Sequence, residues 1–481
     1  MNYPVIGRVL SWILCTEGAL LLLPSLISLI YREDQGMIYF ALALLALAIG
    51  YVTSRRKIRN KAIYQREGFV SVGLSWVLLS LYGAIPFVLT GEIPSYVDAV
   101  FEIVSGFTTT GSSILSDVEA LSHTSLFWRS FSHWIGGMGV LVFILMLMPT
   151  NRGGTQMNLM KAESPGPDVS KFVPRVRNTA IVLYKIYLGM TLLMIALLAL
   201  TGMNWFHNLC ITFGTAGTGG FGILNDSCAS YTPAQQWIIT IFMIAFGVNF
   251  SFYYLFLLKK VGEAFRMEEV RTYIGIILAA GAAIALQIHG RFDTWEQTFR
   301  AAYFQVGSII TTTGFSTVDF DQWPSFSKAI LLLLMIIGAC AGSTGGGVKV
   351  SRVVLVCKSV KLELEQLLHP HGVQRVRMDG KLVDRQMLNS VFIFMITYFL
   401  IFALSVLAIS LDDFSFETNF SAVAATLNNI GPGLAGVGPA RNFSAYSDPA
   451  KLILTFDMLA GRLELLPMLI LFYPKTWRKN G

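Results

Sequence analysis

Four short glycine-centred segments recur at wide, similar intervals along a very hydrophobic chain, and each lies between two long apolar stretches. The segments centre on Gly111, Gly220, Gly314 and Gly431, which are separated by 109, 94 and 117 residues. Glycine adopts the left-handed backbone that a close approach of several loops requires. A ring of backbone loops can replace the hydration shell of a monovalent cation with carbonyl oxygens. The pattern therefore predicts that this single chain builds a four-loop cation filter.

Each segment contributes three residues to the predicted filter. They are Thr109, Thr110 and Gly111; Thr218, Gly219 and Gly220; Thr312, Thr313 and Gly314; and Asn429, Ile430 and Gly431. The second segment leaves open whether Gly219 or Gly220 is the filter glycine. The fourth has no threonine beside its glycine, and we expect its asparagine side chains to brace the loop. Helix packing through small residues is the alternative, but it does not explain four matching positions.

Composition makes the chain a polytopic membrane protein, since 54% of its residues are hydrophobic and only 14% are charged. Many apolar runs approach the roughly 20 residues that cross a hydrocarbon core of about 30 Å. We predict two leading spans, at 7–31 and 37–54, and then four units of two spans around a re-entrant segment. The span pairs are 69–90 and 124–149, 179–202 and 233–258, 270–289 and 325–355, and 388–411 and 449–474. The re-entrant segments are 95–111, 204–220, 296–314 and 416–431.

The predicted fold is all-α, with four pseudo-symmetric membrane–loop–membrane repeats around one central pore and two extra N-terminal transmembrane helices. The first and third repeats share more than glycine, since Phe101 and Ser105 have the same spacing to Gly111 as Phe304 and Ser308 have to Gly314. Non-helical backbone at membrane depth is tolerated where protein buries it or where it lines a cavity, which favours a pore. The predicted divisions are 1–66 for the leading helices and a basic loop, 67–178, 179–268 and 269–386 for three repeats, and 387–481 for the fourth repeat and a tail.

The net charge of +7 comes from 36 Lys and Arg against 29 Asp and Glu. When each span reverses the direction of the chain, most basic residues fall at one face, which the positive-inside rule makes cytoplasmic, with both termini. The charge therefore indicates membrane orientation rather than binding of nucleic acid. Acidic residues on the opposite face predict a cation-attracting outer vestibule, with ordinary solvated loop charges as the alternative. They include Glu92, Asp98, Glu102, Asp117, Glu119, Asp226, Asp319, Asp321, Asp412, Asp413 and Glu417.

A glycine-rich run interrupts the second span of the third repeat and predicts a break in that helix, because each glycine costs about 1 kcal/mol relative to alanine. We interpret the break as a gate below the filter, with a simple packing break as the alternative. A phosphate-binding loop is disfavoured, since Val348 separates the glycines from Lys349. We interpret Arg462, within a span, as an electrostatic barrier; the alternative, which is compatible with it, is an ion pair with Glu464, Asp457 or another acid. The predicted gate residues are Gly338, Gly342, Ser343, Thr344, Gly345, Gly346, Gly347, Lys349 and Arg462.

The remaining polar residues form no catalytic motif, so we do not expect an enzyme. The five cysteines lack metal-site spacing; Cys210 and Cys228 lie in one repeat and are expected to be free thiols unless they pair. The cytoplasmic segments 150–178 and 356–386 either dock a partner or simply connect spans. The second of them is expected to contain a short amphipathic helix at Leu362–Leu368.

Several of these motifs resemble the Trk/Ktr/HKT superfamily of potassium transporters, most closely its TrkH branch, which the two leading spans also suit. The matching segments are Ala99–Gly111, His133–Gly139, Thr311–Ser316, Gly342–Lys349, Asn428–Gly433 and Gly461–Glu464. The resemblance implies a four-repeat pore with the four glycines at the filter, the loop 338–347 as an intramembrane gate, and Arg462 beside that loop.

The same resemblance implies potassium uptake across the bacterial cytoplasmic membrane, with potassium ions bound at the filter residues. It also implies a homodimer on a ring of cytosolic TrkA-like subunits, whose Rossmann domains bind a nucleotide for which this chain has no fingerprint. One glycine per loop suggests modest selectivity over sodium. Two alternatives stay open: a symporter that couples potassium to sodium or protons, and a non-transporting sensor or assembly subunit.

Overall fold

The protein is described by a computed structural model that covers residues 1–55, 64–139, 176–370 and 375–478. The end of the predicted span 124–149, most of the segment 150–178 and the basic run after residue 55 lie outside the described residues. The helices are α1 (Tyr3–Tyr31), α2 (Gln35–Ser54), α3 (Gln65–Gly83), α4 (Ile85–Leu89), α5 (Tyr96–Phe107), α6 (His123–Gly137), α7 (Val176–Leu200), α8 (Trp205–Gly217), α9 (Pro233–Phe246), α10 (Phe250–Leu257), α11 (Val261–Phe265), α12 (Glu268–Ile288), α13 (Trp295–Ile310), α14 (Ser325–Ile337), α15 (Val350–Leu368), α16 (Arg385–Ile409), α17 (Phe416–Leu427), α18 (Asp448–Arg462) and α19 (Leu466–Phe472).

Long apolar helices dominate the described chain, and six of them have the length and composition needed to cross a membrane. They are Tyr3–Tyr31, Gln35–Ser54, Arg66–Leu89, Ala180–Leu200, Glu268–Arg291 and Arg385–Asp412. These six correspond to the two predicted leading spans and to the first span of each predicted pair. The all-α class with several membrane-spanning helices is therefore confirmed.

Four shorter helices, α5, α8, α13 and α17, occupy the predicted re-entrant segments. Each begins at a residue whose side chain accepts a hydrogen bond from a backbone N–H of the first turn. These caps are Ser95 to Asp98 at 3.3 Å, Asn204 to Phe206 at 2.9 Å, Thr294 to Gln297 at 3.2 Å and Ser415 to Thr418 at 3.3 Å. Such caps stabilise a helix start by about 1 kcal/mol each, so the start of every short helix is fixed by its own sequence.

The second spans of the second, third and fourth predicted pairs are interrupted, which corrects the prediction of continuous helices at 233–258 and 449–474. Helices α9 and α10 would reach spanning length together, but they meet at a bend of 90°. Helix α18 ends at Arg462, and Glu464 and Leu465 then take left-handed φ angles of 56° and 68°, which a continuing helix does not allow. Between α14 and α15 the break falls in the glycine-rich run, as predicted.

The short helices and the helices that follow their loops form a closed ring of contacts. Helix α6 packs against α8, α9 against α13, α14 against α17, and α18 against α5. Each helix after a loop thus supports the short helix of the next unit, and the fourth unit supports the first. This arrangement places the four loops at the ends of helices that are packed on one another.

The segment 356–386, which the sequence predicts to be cytoplasmic, contains the end of one helix and a short hairpin. The predicted helix Leu362–Leu368 is the last part of the longer helix α15, and a two-stranded antiparallel hairpin, β1 (Arg377–Met378) and β2 (Lys381–Leu382), follows it. Cys210 and Cys228 are both buried free thiols, so they do not pair.

The turn between α1 and α2 is attached to the start of α6 by one carboxylate. Glu33 accepts hydrogen bonds from the backbone N–H groups of His123 at 2.8 Å and Thr124 at 2.9 Å, and from the Thr124 hydroxyl at 2.6 Å. Partial burial raises the pKa of Glu33, but the hydrogen bonds from Thr124 and His123 outweigh it and hold that pKa below its ordinary value. The anionic carboxylate also suits the positive end of the α6 dipole.

We expect Glu33→Gln to lower the free energy of unfolding by about 1–2 kcal/mol at pH 7, because hydrogen bonds to a charged group are lost. A depressed carboxyl pKa adds stability above the pKa of the unfolded chain, about 4.3, and this stability is lost as the pH falls through the lower folded value. The difference in melting temperature between wild type and Glu33→Gln in detergent should therefore shrink below about pH 4. Asp34→Asn is the matched control, since Asp34 makes no side-chain cap bond. Equal losses in the two variants would contradict this role of Glu33.

Candidate functional site

The four loops that follow the short helices share one backbone conformation. They are loop 1 (108–111), loop 2 (217–220), loop 3 (311–314) and loop 4 (428–431). The residues two positions before each glycine, Thr109, Thr218, Thr312 and Asn429, have φ angles of 55°, 55°, 58° and 56°. A left-handed φ is rare for β-branched threonine and costs about 1–2 kcal/mol. Three threonines therefore hold a backbone that their own sequence disfavours, which indicates that the surrounding structure enforces it.

Hydrogen bonds at the helix ends enforce this conformation identically in all four loops. The N–H of the residue before the glycine bonds to a carbonyl five positions earlier, at 2.8 Å each time. The pairs are Thr110 to Ser105, Gly219 to Gly214, Thr313 to Ser308 and Ile430 to Ala425. The preceding residue bonds three positions back, as Thr109 does to Gly106 at 3.1 Å. These two bonds define a Schellman ending, in which a left-handed residue closes the helix.

The central glycines also have left-handed φ angles, and they leave no room for a side chain. A Cβ added at Gly111 would overlap the carbonyl oxygen of Gly219. In the same way, Gly220 would overlap that of Thr313, and Gly314 that of Ile430. At Gly431 the added atom would lie 3.0 Å from the Thr110 oxygen. Each loop therefore contacts the next through its backbone, and loop 4 closes the ring on loop 1.

One pocket of about 150 Å³ is lined by all four central glycines. Its wall continues into the residues that follow loops 1, 2 and 4, which the sequence places on the outer face. The charged side chains in its described lining are Arg129 and Arg441. Among the predicted vestibule acids, Asp117 and Glu119 bond to Asn225 of this wall, at 2.9 Å each. The acids therefore lie beside the pocket rather than in its lining, and an acidic vestibule stays a prediction.

Loop 2 contains two adjacent glycines, and the structure distinguishes their positions. Gly220 has a φ of 79°, close to the values of 84° at Gly111 and 87° at Gly314. Gly219 instead lies where a Cβ would enter the imidazole ring of His133. Gly220 is thus the backbone equivalent of the other central glycines.

Asparagine side chains brace loop 4, as its sequence suggests. The Asn429 amide nitrogen donates to the Thr110 hydroxyl at 2.9 Å and to the Met458 carbonyl at 2.8 Å. In return, the Ser112 hydroxyl donates to the Gly431 carbonyl at 2.8 Å. The junction of loops 4 and 1 is therefore held by neutral hydrogen bonds in both directions.

The glycine-rich loop 338–349 packs directly against loops 3 and 4. The N–H of Gly346 donates to the Thr312 hydroxyl at 2.6 Å, and a Cβ at Gly346 would overlap the Asn428 carbonyl. The loop turns through left-handed glycines, with φ of 72° at Gly338 and 67° at Gly342. The run of glycines thus allows an irregular backbone to fit close to two of the four loops.

Two cationic side chains are tied to the carbonyls of this same region. Arg462 donates to the carbonyl of Thr344 at 2.7 Å and to that of Gly137 at 3.0 Å, and it also contacts the Gly136 carbonyl. The Lys349 ammonium donates to the Gly345 carbonyl. The structure therefore brings Arg462 and the predicted gate loop together.

The expected acidic partners of Arg462 are engaged elsewhere. Glu464 forms an ion pair with Arg352, and Asp457 accepts a hydrogen bond from the Ser405 hydroxyl at 2.8 Å. Glu269, which the sequence did not single out, holds the far side of the loop: its carboxylate accepts from the N–H groups of Ala341 at 2.6 Å and Ser351 at 3.1 Å. The loop is therefore fixed at both of its ends.

The structure corrects the interpretation of Glu102 as an outer-face acid. Its side chain is fully buried and forms an ion pair of 2.7 Å with Arg129, which is also buried. The sequence offers no local signal for this pair, because the partners lie 27 residues apart on different helices.

The donor set suits a cation held by backbone oxygens. In the described residues no cluster of three or more His, Cys, Asp or Glu side chains could hold a metal ion. Backbone carbonyls in close loops are the ligands by which membrane pores bind monovalent cations.

Comparison with known proteins decides the family. The profile of the TrkH family, described as a cation transport protein, matches residues 36–280 and 292–479. The chain is 37% identical over 491 aligned positions to the Trk system potassium uptake protein TrkH of Salmonella typhimurium, and this alignment covers 100% of both chains. The chain belongs to the TrkH family of cation transport proteins.

Further likenesses extend over the whole fold of this TrkH-family chain. The Trk system potassium uptake protein TrkG of Escherichia coli K12 is 31% identical over 466 positions, covering 95% of this chain and 94% of TrkG. The crystal structure of the potassium transporter TrkH from Vibrio parahaemolyticus superposes with a TM-score of 0.88 at 32% identity, covering 99% and 100% of the two chains. The resemblance in the motifs is confirmed, and the protein is a multi-pass bacterial membrane protein.

Alanine at the central glycines should reduce cation uptake in a graded way. At Gly111, Gly220 and Gly314 the new Cβ overlaps a backbone carbonyl, so we expect uptake to be lost. At Gly431 the contact of 3.0 Å leaves mainly the left-handed strain of about 1–2 kcal/mol, and we expect a reduction of about tenfold. Uptake by cells that lack their own potassium systems would measure this series.

Gly275→Ala is the matched control, because Gly275 lies within helix α12 with nothing near its Cβ position. Alanine favours a helix over glycine by about 1 kcal/mol, so this variant should transport like the wild type. Equal uptake by Gly111→Ala and Gly275→Ala would show that the loops are not tightly packed around the transport path.

Proposed function

We propose that this protein takes up potassium through a channel-like pore whose selectivity filter is the ring of loops 1 to 4. The observation that carries the proposal is the closed ring of backbone contacts, in which four left-handed glycines line one pocket. The relatives from Salmonella typhimurium and Escherichia coli are Trk system potassium uptake proteins, which supports potassium as the cargo.

In this proposal, potassium loses part of its hydration shell among the carbonyl oxygens of the filter residues. Those residues are Thr109, Thr110 and Gly111, Thr218, Gly219 and Gly220, Thr312, Thr313 and Gly314, and Asn429, Ile430 and Gly431. The Schellman endings and the contacts between loops fix the carbonyl positions before an ion arrives, so binding requires little reorganisation. The four short helices also end at the loops, and the partly negative end of each helix dipole favours a cation.

The pore of the proposal is built from four pseudo-symmetric repeats, preceded by two further transmembrane helices. The cyclic packing of α6 on α8, α9 on α13, α14 on α17 and α18 on α5 supports this arrangement. The four identical helix endings support it independently. The proposed bounds of the four repeats are 67–178, 179–268, 269–386 and 387–481.

We propose that both termini are cytoplasmic and that ions enter from the pocket side of the loops. The distribution of basic residues along the sequence supports this orientation. The membrane potential would then drive each potassium ion inward with about 2.3 kcal/mol per 100 mV. Acids beside the pocket, such as Asp117 and Glu119, would raise the local cation concentration.

The loop 338–349 is the proposed gate. Its contacts with Thr312 and Asn428 support this role, and so do Arg462 and Lys349, which bring two positive charges to the same region. A cation at a narrow point opposes the passage of other cations. Opening therefore requires the loop and Arg462 to separate.

We further propose a homodimer whose gate is controlled by a cytosolic TrkA-like subunit, which carries the nucleotide-binding Rossmann domains. The family resemblance supports this partner. In this proposal, the present chain supplies the pore and the gate. The nucleotide binds to the partner and acts through it rather than through a site on this chain.

Flux through the purified protein tests the proposed function. In proteoliposomes with the cytosolic partner present, we expect voltage-driven potassium uptake that exceeds sodium uptake, and a loss of this preference in Gly314→Ser. Net potassium uptake against its own electrochemical gradient, driven by a sodium or proton gradient, would establish symport instead. Absence of cation flux both with and without the partner would contradict the transport function.

Neutralising Arg462 should open the gate in part. We expect Arg462→Gln to raise potassium flux of the chain alone by about tenfold or more, because a side chain that donates to three carbonyls beside the loop is shortened and uncharged. Arg291→Gln is the control, since Arg291 also donates to a carbonyl, that of Gln322 at 2.7 Å, but far from the loop. Unchanged or lower flux in a folded Arg462→Gln protein would contradict the gating role.

A further inference from the structure

Helix α6 carries two polar side chains one turn apart, Arg129 and His133, on the side that faces loops 1 and 2. We infer that Arg129 and His133, together with Glu102 of α5, form a clamp that positions loop 2 against α5 and thereby sets the cation selectivity of the pore. The inference rests on the proposed function, and it assigns these three groups as positioning residues, because none of them belongs to the four loops.

The first part of the clamp is the buried ion pair of Glu102 and Arg129. The Arg129 guanidinium contacts the Glu102 carboxylate at 2.7 and 2.8 Å and donates to the Gly222 carbonyl at 3.3 Å. The same carboxylate accepts from the Ser113 hydroxyl at 3.0 Å and from the Ile114 N–H at 3.0 Å. One ion pair therefore fixes the backbone that follows loop 1 and the backbone that follows loop 2.

The second part of the clamp is the imidazole of His133, which is fully buried. Its Nε2 lies 3.1 Å from the Phe221 N–H, so Nε2 accepts and carries no hydrogen. Its Nδ1 lies 2.7 Å from the Gly106 carbonyl, to which it must therefore donate. These contacts assign a neutral ring with hydrogen on Nδ1, and they join the end of α5 to the residue that follows Gly220.

The Phe221 ring lies between the two polar groups. The Arg129 guanidinium carbon is 4.0 Å from the centre of this ring, and the imidazole centre of His133 is 4.3 Å from it. Cation–π contact of this kind is worth more when desolvated, about 2 kcal/mol. Phe221, the residue directly after the filter glycine of loop 2, is thus held at its N–H and at its ring. The next residue, Gly222, is held at its carbonyl.

This junction differs from the others in the ring of loops. Loops 4 and 1 are joined by the neutral hydrogen bonds of Asn429 and Ser112. The backbone after loop 3 is joined to the backbone after loop 2 by another neutral hydrogen bond, in which the Cys228 N–H donates to the Ser316 carbonyl at 2.9 Å. A buried charge pair is costly to break from one side, because the remaining charge loses its partner. Loop 2 contains two adjacent glycines and is the most flexible by sequence, which is where a rigid external clamp has most effect on the carbonyl positions.

The test compares ion selectivity and stability in proteoliposomes reconstituted with the full chain and its cytosolic partner. We expect Glu102→Gln and Arg129→Gln each to lower the potassium-to-sodium permeability ratio, measured from the reversal potential, by about tenfold. We expect His133→Leu to lower it similarly. His133→Gln should stay near the wild-type ratio, because an amide can both donate and accept.

The matched control is a second ion pair that involves helix α5. It joins Asp98 of α5 to Lys451 of α18, and their charged atoms are 2.6 Å apart. Lys451→Gln breaks this pair and should lower the melting temperature without changing the permeability ratio. Arg129→Lys keeps the charge but loses the planar fork. It replaces Arg129→Gln if the latter does not fold, with an expected loss of ratio that is smaller than for His133→Leu.

The outcomes separate the clamp from the proposed function. Selective wild-type flux with a reduced ratio in His133→Leu and Arg129→Lys, and an unchanged ratio in Lys451→Gln, supports the clamp. Selective wild-type flux with unchanged ratios in the folded clamp variants overturns the clamp and leaves the proposed function standing. A wild-type protein that moves no potassium overturns both.

Discussion

The absence of side-chain volume at four backbone positions is the constraint on which the rest of this structure depends. Gly111, Gly220 and Gly314 each lie where a Cβ would overlap a carbonyl oxygen of the neighbouring loop. Only glycine lets four polar backbones approach so closely inside an apolar protein. Bonds to the helix ends satisfy loop N–H groups such as that of Thr110, and the Ser112 hydroxyl satisfies the Gly431 carbonyl.

Strain in these loops is balanced by contacts outside them. Three left-handed threonines oppose the ring conformation, while the Schellman bonds, the cyclic helix packing and the bracing by Asn429 favour it. The glycine-rich loop 338–349 lies outside this ring and is the proposed gate. That loop packs against loops 3 and 4, and it is also bound to them by single hydrogen bonds, such as Gly346 to Thr312, which would have to break if the loop moved.

The sequence predicted those features that a residue type makes obligatory. The central glycines were predictable because a left-handed backbone in close contact requires glycine, and the break after Ile337 was predictable because five glycines disfavour a helix. The break at Glu464 and Leu465 was not predictable, since neither residue is a helix breaker and tertiary packing imposes their conformation.

The supporting contacts behind the loops were hidden for a different reason. The sequence predicted Glu102 to be a solvated acid on the outer face. Its partner Arg129 is distant in sequence, and the burial of both residues is a property of the packed helices. The left-handed conformation of the three loop threonines could likewise not be predicted from the sequence, since threonine normally avoids that conformation. Sequence periodicity predicts the positions of helices, and glycine predicts the positions of loops. Pairs of polar residues that are distant in sequence can be recognised only in the tertiary structure.

Anomalous diffraction can show whether a monovalent cation binds within the ring of the four loops, as the proposed function requires. Crystals of the transport-competent protein soaked with thallium or rubidium should show an anomalous peak on the axis between Gly111, Gly220, Gly314 and Gly431, and the peak should weaken when excess potassium is added. A protein that transports potassium but shows its peaks only away from this ring would contradict the account.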